Sequence, residues 1–326
     1  MSLILTPAVA ALLAAPAIPP EPLQICSAER GCRVAEAVPV VSLYGRTRYP
    51  IVLAHGMAGF ARLGSLDYWY DIPRDLASVG AAVYVTQVSA FNASELRGEQ
   101  LLKQVQTIVA LSGAGKVNLI GHSHGAQSVR YVAAVAPTRV ASVTSVGGPN
   151  QGSEIADAIL GLGGRPAAAP VARALAERLG RLVQRIDARH GEVYPQDVVA
   201  SLRAVSTAGA REFNRHFPAG LPAAPCGEGA AEANGIRYYS WSGVGHLTNL
   251  LDVSDGALAV TGLLVAGDND GLVGRCSSHL GQVIRDNYFM NHLDEINQLY
   301  GLVSLFETNP RAVYRQHASR LKQAGL

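Results

Sequence analysis

The stretch whose reading decides the fold is "KVNLIGHSHGAQSVRYVAAVAP", Lys116 to Pro137. An apolar strand-like run, "VNLI", meets a glycine turn and continues as a helical stretch, "AQSVRYVAAVAP". The turn, "GHSHG", fits Gly-x-Ser-x-Gly, a pattern in which two glycines let strand and helix approach closely around a serine in a strained turn. Five residues with three fixed recur by chance. The strand before and the helix after therefore carry the reading, and they make Ser123 the candidate nucleophile.

Working outward, "YPIVLAHGMAGF" contains a buried-strand run, Ile51 to Ala54, that ends in a glycine turn. "AAVYVTQVSA" is a second β-branched run, and "RVASVTSVGGP" follows the serine segment as a further strand. Between them, "RGEQLLKQVQTIVALSG" spaces Leu101, Leu102, Val105, Ile108 and Val109 as a helix, with Gly113 as its stop. Strands alternating with helices predict an α/β fold with a mostly parallel sheet and crossover helices. Residues 151–215 break the alternation. Gly161 to Pro170 is a low-complexity loop, and "VARALAERLGRLVQRI" puts leucines on one face and arginines on another, an inserted amphipathic helix. It is read either as packed permanently on the core or as a mobile lid opening onto lipid.

The 326 residues are 48% hydrophobic and 16% charged, with a formal net charge of +2 and scattered basic residues, a balance that argues against nucleic acid as a partner. The run Leu3 to Ala17 is apolar and too short to span a bilayer, so residues 1–37 are expected to be a leader, with the catalytic domain at 38–326. Cleavage could follow Ala17 or Ala37, and the strand-like segment soon after Ala37 favours the latter. A lipid anchor at Cys26 is the weaker alternative, because "LQIC" has bulky residues before the cysteine. On the leader reading Cys26 and Cys32 leave with it, and Cys226 and Cys276 remain to pair in an exported chain.

A nucleophilic serine needs a base, an acid and an oxyanion hole. In scaffolds of this kind the chain order is Ser, then Asp or Glu, then His, which removes His55, His122 and His124 as bases. His292, in "MNHLDEINQLYG", lies in a polar loop; His246 and His279 stay open on spacing alone, and His317 reads as a surface or packing residue. "LLVAGDNDGLVG" offers Asp268 and Asp270 as the acid, and the pattern does not separate them. For the oxyanion hole, His124 offers the N–H after the nucleophile, and Gly56 lets the chain turn to present the Met57 N–H.

From about residue 48 onward the chain resembles the secreted bacterial triacylglycerol lipases of the Pseudomonas and Burkholderia type. "YPIVLAHGMAGF", "RGEQLL", "KVNLIGHSHG", "YYSWSG", "NDGLVGRCSSHLGQVIRDNY", "NHLDEINQ" and "VYRQHASRLKQAGL" carry the resemblance, whereas "GGPNQGSE" and Gly161 to Val199 follow the pattern loosely. The resemblance implies an α/β-hydrolase fold with an inserted lid, and Asp270 and His292 as partners of Ser123. It also implies Met57 and His124 as oxyanion donors. It further implies one structural calcium ion held by Asp252 and Asp294 with backbone carbonyls of Gln298 and Leu302, a ligand set of hard oxygens. Without the resemblance, Asp252 and Asp294 read as helix-capping or helix-starting aspartates. The family disulfide maps onto Cys226 and Cys276. A membrane-anchored foldase partner, an acylglycerol substrate at a lipid–water interface, a monomeric state and secretion through the periplasm complete the expectations.

Overall fold

The computed structural model describes residues 18–161 and 194–326. Eleven strands lie among these residues: β1 (Glu21–Ser27), β2 (Gly31–Val38), β3 (Ile51–Ala54), β4 (Arg62–Leu63), β5 (Leu66–Asp67), β6 (Val83–Gln87), β7 (Val117–His122), β8 (Val140–Val146), β9 (Glu232–Ala233), β10 (Ile236–Gly243) and β11 (Gln282–Tyr288). Eight helices accompany them: α1 (Ile72–Ser78), α2 (Ser94–Ser112), α3 (Gly125–Val135), α4 (Glu154–Ile159), α5 (Val198–Val205), α6 (Thr207–His216), α7 (Asp255–Gly262) and α8 (Pro310–Gln323). The main sheet runs β11-β10-β8-β7-β3-β6-β1-β2, with β9 added beside β10.

The central strands β3, β7 and β8 are buried along their whole length, as their largely apolar and β-branched sequences suit strands covered on both faces. All pairings from β11 through β1 along that path are parallel; β2 and β9 alone pair antiparallel within this sheet. One apolar cluster fills each side of the sheet. Ile51, Leu53, Trp69, Ile72, Val83 and Tyr314 lie in the first, and Val52, Leu101, Val105, Ile108, Leu119 and Val132 in the second. Ile51 and Leu53 point one way and Val52 the other, the period-two alternation of a strand. α2 ends at Gly113, whose φ of 64° is the left-handed stop expected there.

The leader expectation is corrected at its C-terminal part. Residues 21–38 are not a detachable segment: β1 pairs parallel with β6 through Gln24 to Ser27, and β2 folds back on β1. Leu23 and Val38 enter the first apolar cluster and Cys26 the second, and Cys26 is disulfide-bonded to Cys32 across the hairpin. Cleavage after Ala37 would remove two strands and expose the edge of β6, so the folded domain begins before residue 38. Residues 1–17 lie outside the described residues, as does the amphipathic stretch Val171 to Ile186. Of the insertion at 151–215, the described helices are α4, α5 and α6; α4 and α5 pack through Ala156, Leu202 and Val205, and α6 contacts both.

Candidate active site

Ser123 stands between β7 and α3 with φ 56°, a left-handed conformation that a serine adopts only when its surroundings impose it. The imposition comes from packing. A Cβ on Gly121 would fall 2.3 Å from the Gly125 carbonyl oxygen, and one on Gly125 would fall 2.3 Å from the Ala54 oxygen. The Ser123 N–H donates to Val146 O of β8 at 2.9 Å, which ties the turn to the sheet. Ser123 is part-exposed, on the wall of a cavity of about 400 Å³. His122, His124, Met57, His292 and Leu272 also border this cavity, and Ile155, Leu202, Ile296 and Leu299 give it apolar walls.

The structure separates the two candidate acids. Asp270 is fully buried and its Oδ2 lies 2.7 Å from His292 Nδ1. Its Oδ1 accepts from the backbone N–H groups of Leu272 and Val273, and the His292 N–H donates to the Asp270 carbonyl. Asp268 is exposed and paired with Arg275. The other histidines are accounted for by different contacts. His279 bridges Asp286 and the Gly227 carbonyl, and His246 meets Asn269. His317, read from sequence as a surface or packing residue, is wholly buried against Tyr239 and Trp241 and bonds Thr144.

The ring nitrogens of the histidines flanking the serine are engaged by other groups. His124 Nε2 bonds Ser94 Oγ and its Nδ1 bonds Ser201 Oγ; His122 bonds the Tyr68 hydroxyl and the His292 carbonyl. Burial holds both well below the ordinary imidazole value, so both are neutral. The backbone N–H groups of Met57 and His124 meet no protein acceptor among the described residues. Behind them sits Arg97, unexposed, whose guanidinium donates to the carbonyls of His55, Gly56, Ser89 and Ala90 at 2.6 to 3.1 Å. Burial lowers it to about 10, still charged at neutral pH. The sequence reading of "RGEQLL" recorded a helix and missed this role.

Glu295 was missed as well. It is buried beside Asp270, and burial followed by the Asp270 charge raises its carboxyl well above the usual range. Its Oε1 accepts from the Gly243 N–H, while Oε2 lies 3.5 Å from His122 Nε2 with no hydrogen bond. Both shifts disfavour the charged forms, so this close approach is not an ordinary ion pair. Nor do His122, His292 and Glu295, close as they are, make a metal cradle: both His122 nitrogens and His292 Nδ1 are already engaged.

The oxygen-rich cluster expected for a cation adjoins the His292 loop, to which Asp294 itself belongs. Asp252 accepts from Ser254 and, through Oδ2, from the Leu299 N–H. Asp294 Oδ2 accepts from the Asn291 N–H, while its Oδ1 is buried with no partner. Burial, with added repulsion from Asp255 and Asp252, pushes Asp294 up to about 7. Asp255, also missed, takes three donors from Thr248, Asn249 and Asn291. Gln298 is anchored by its side chain to the Asp67 and Tyr68 carbonyls. Cys226 and Cys276 are disulfide-bonded, as expected.

Residues 49–295 match the family model described as alpha/beta hydrolase fold. A triacylglycerol lipase of Vibrio cholerae is 55% identical over 284 residues, covering 87% of this chain and 90% of the relative. The chain belongs to the triacylglycerol lipase group of α/β hydrolases. A second triacylglycerol lipase, from Pseudomonas fragi, is 46% identical over 86% of the chain and 98% of its own length. One from Burkholderia plantarii is 42% identical over 87% and 88%. Among solved structures, a Bacillus licheniformis lipase shares the fold at a TM-score of 0.58 and 16% identity, covering 84% of this chain and 92% of its own.

Proposed function

We propose that this chain is a secreted triacylglycerol lipase. The observation that carries the reading is the buried Asp270–His292 pair opening, with Ser123, onto an apolar cavity of about 400 Å³. In this reading Ser123 Oγ attacks the ester carbonyl carbon and its proton passes to His292 Nε2. Asp270 stabilises the imidazolium, and the Met57 and His124 N–H groups receive the oxyanion. Collapse breaks the ester bond, and the leaving alcohol takes the proton from His292. Water then attacks the acyl-enzyme, gives a proton to His292, and releases the fatty acid as Ser123 recovers its hydrogen.

The cluster at Asp252 and Asp294 suits one structural Ca²⁺, with backbone oxygens of Gln298 and Leu302 as further donors. The orphaned Asp294 Oδ1 and the mutual repulsion of three aspartates support that fit. Bound there, calcium would supply positive charge that holds together the loop carrying His292. Secretion through the periplasm is supported by two disulfides, and no helix among the described residues is long and apolar enough to cross a membrane. A membrane-anchored foldase partner and a monomeric product rest on the family resemblance.

The test compares emulsified long-chain triglyceride with soluble short-chain ester. Faster turnover of the emulsion is expected. Equal or better turnover of the soluble ester, with no gain at an interface, would replace the lipase by a short-chain esterase on the same scaffold.

A further inference from the structure

A second cleft, of about 490 Å³, shares no bordering residue with the cavity at Ser123. Its volume is usual for a small-molecule site. Buried Arg130 of α3 and buried Tyr238 of β10 form its inner part, Ala134, Phe217 and Leu221 give it apolar walls, and exposed His216 stands at its rim.

Arg130 is 2% exposed, yet it meets only neutral oxygens. Its Nη2 donates to Asn214 Oδ1 at 2.8 Å and to the Phe217 carbonyl at 2.7 Å. Nη1 reaches Asn150 Oδ1 only at 3.4 Å, and Nε is buried with no partner. Burial lowers this guanidinium to about 10, so it stays charged at neutral pH. Arg97, by contrast, has short bonds to four carbonyls. No aspartate or glutamate borders the cleft among the described residues, and Glu212 beside the rim is taken by His216 and Arg215. A buried charge left short of partners forfeits its hydration without replacement, and an anion in the cleft would restore it. The Tyr238 hydroxyl is a second free donor: it takes no hydrogen bond from the described residues, and the Arg130 charge acts on it.

The walls narrow the class of anion. The two oxygens of a carboxylate can accept from a guanidinium and a phenol together, and an aliphatic tail would cover the apolar side. An alcohol leaves the charge unanswered, and inorganic phosphate leaves the apolar walls bare.

We propose that this cleft binds a monocarboxylate with a short aliphatic tail, its head on Arg130 and Tyr238 and its tail against Ala134, Phe217 and Leu221. Acids released by ester hydrolysis belong to this class, but the site stands independently of the lipase reading.

The experiment titrates hexanoate calorimetrically into the whole chain, with hexanol and inorganic phosphate as comparison ligands and Tyr238→Phe and Arg130→Gln as variants. Neither residue borders the cavity at Ser123, so a loss in either variant reports on this cleft. Unchanged turnover of a soluble ester shows that each variant is folded. Expected is saturable hexanoate binding, with hexanol and phosphate each weaker by about tenfold or more. Tyr238→Phe should raise Kd about tenfold, the loss of one hydrogen bond to a charged group, and Arg130→Gln should raise it further. Three results would overturn the proposal: no saturable hexanoate binding up to about 10 mM, hexanol or phosphate bound as tightly as hexanoate, or hexanoate affinity unchanged in Tyr238→Phe. The last holds even if Arg130→Gln fails to fold.

Discussion

Arg97 brings a positive charge to zero exposure and meets it with four backbone carbonyls, two of them in the turn that presents the Met57 N–H. It does not reach the reacting atoms, so it is a positioning residue. Arg97→Lys keeps the charge but cannot span the same four acceptors. The turn should loosen, and kcat on a soluble ester should fall about 10- to 100-fold, short of the loss of a whole oxyanion donor, with KM little changed. A proportional rise in KM would show that the turn acts in binding instead. His317 makes a separate residue-scale prediction. Burial lowers it from the ordinary 6.5 to about 3, so the folded state holds it neutral while the unfolded chain protonates near 6.5. The unfolded state then binds more protons below pH 6.5, and stability falls as pH drops from there towards about 3. The slope is about 1.4 kcal/mol per pH unit for one such group, and His122 and His124 add to it in the same direction. Urea midpoints at pH 7 and pH 5 measure the slope, and His317→Asn should reduce it.

The loop that carries His292 is held on one side by Asp270 and on the other by the aspartate cluster. Without a cation, the orphaned Asp294 oxygen is a destabilising element. Removing calcium with a chelator should therefore lower both thermal stability and activity of the wild type, and the effect should vanish in Asp252→Ala. Wild type and variant responding alike to the chelator would displace the site. These elements were unequally legible in sequence. β3, β7, α2 and the serine turn follow from apolar runs and glycine positions, because fully buried strands and a left-handed stop demand such residues. β1 and β2 were read as part of a leader, because "EPLQICSAERGCRVAEAV" follows an apolar N-terminus and its burial depends on β6, far along the chain. Arg97, Asp255 and Glu295 escaped for a related reason. Each owes its role to partners that only the tertiary fold brings together, and none departs from the local pattern of its helix or loop.

At the scale of the molecule, the parallel sheet places the serine turn, the Met57 turn and the His292 loop around an apolar cavity. Chain order already pointed to a base distant from Ser123, and the folded chain puts that base against a fully buried Asp270. The account's central claim is that Ser123 is a nucleophile activated by His292. A fluorophosphonate probe followed by mass spectrometry tests it directly. The account predicts one covalent adduct, on Ser123, absent in Ser123→Ala and formed about a thousandfold more slowly or worse in His292→Gln. Folded wild-type protein that takes no label at Ser123, or labels equally fast without His292, would contradict it.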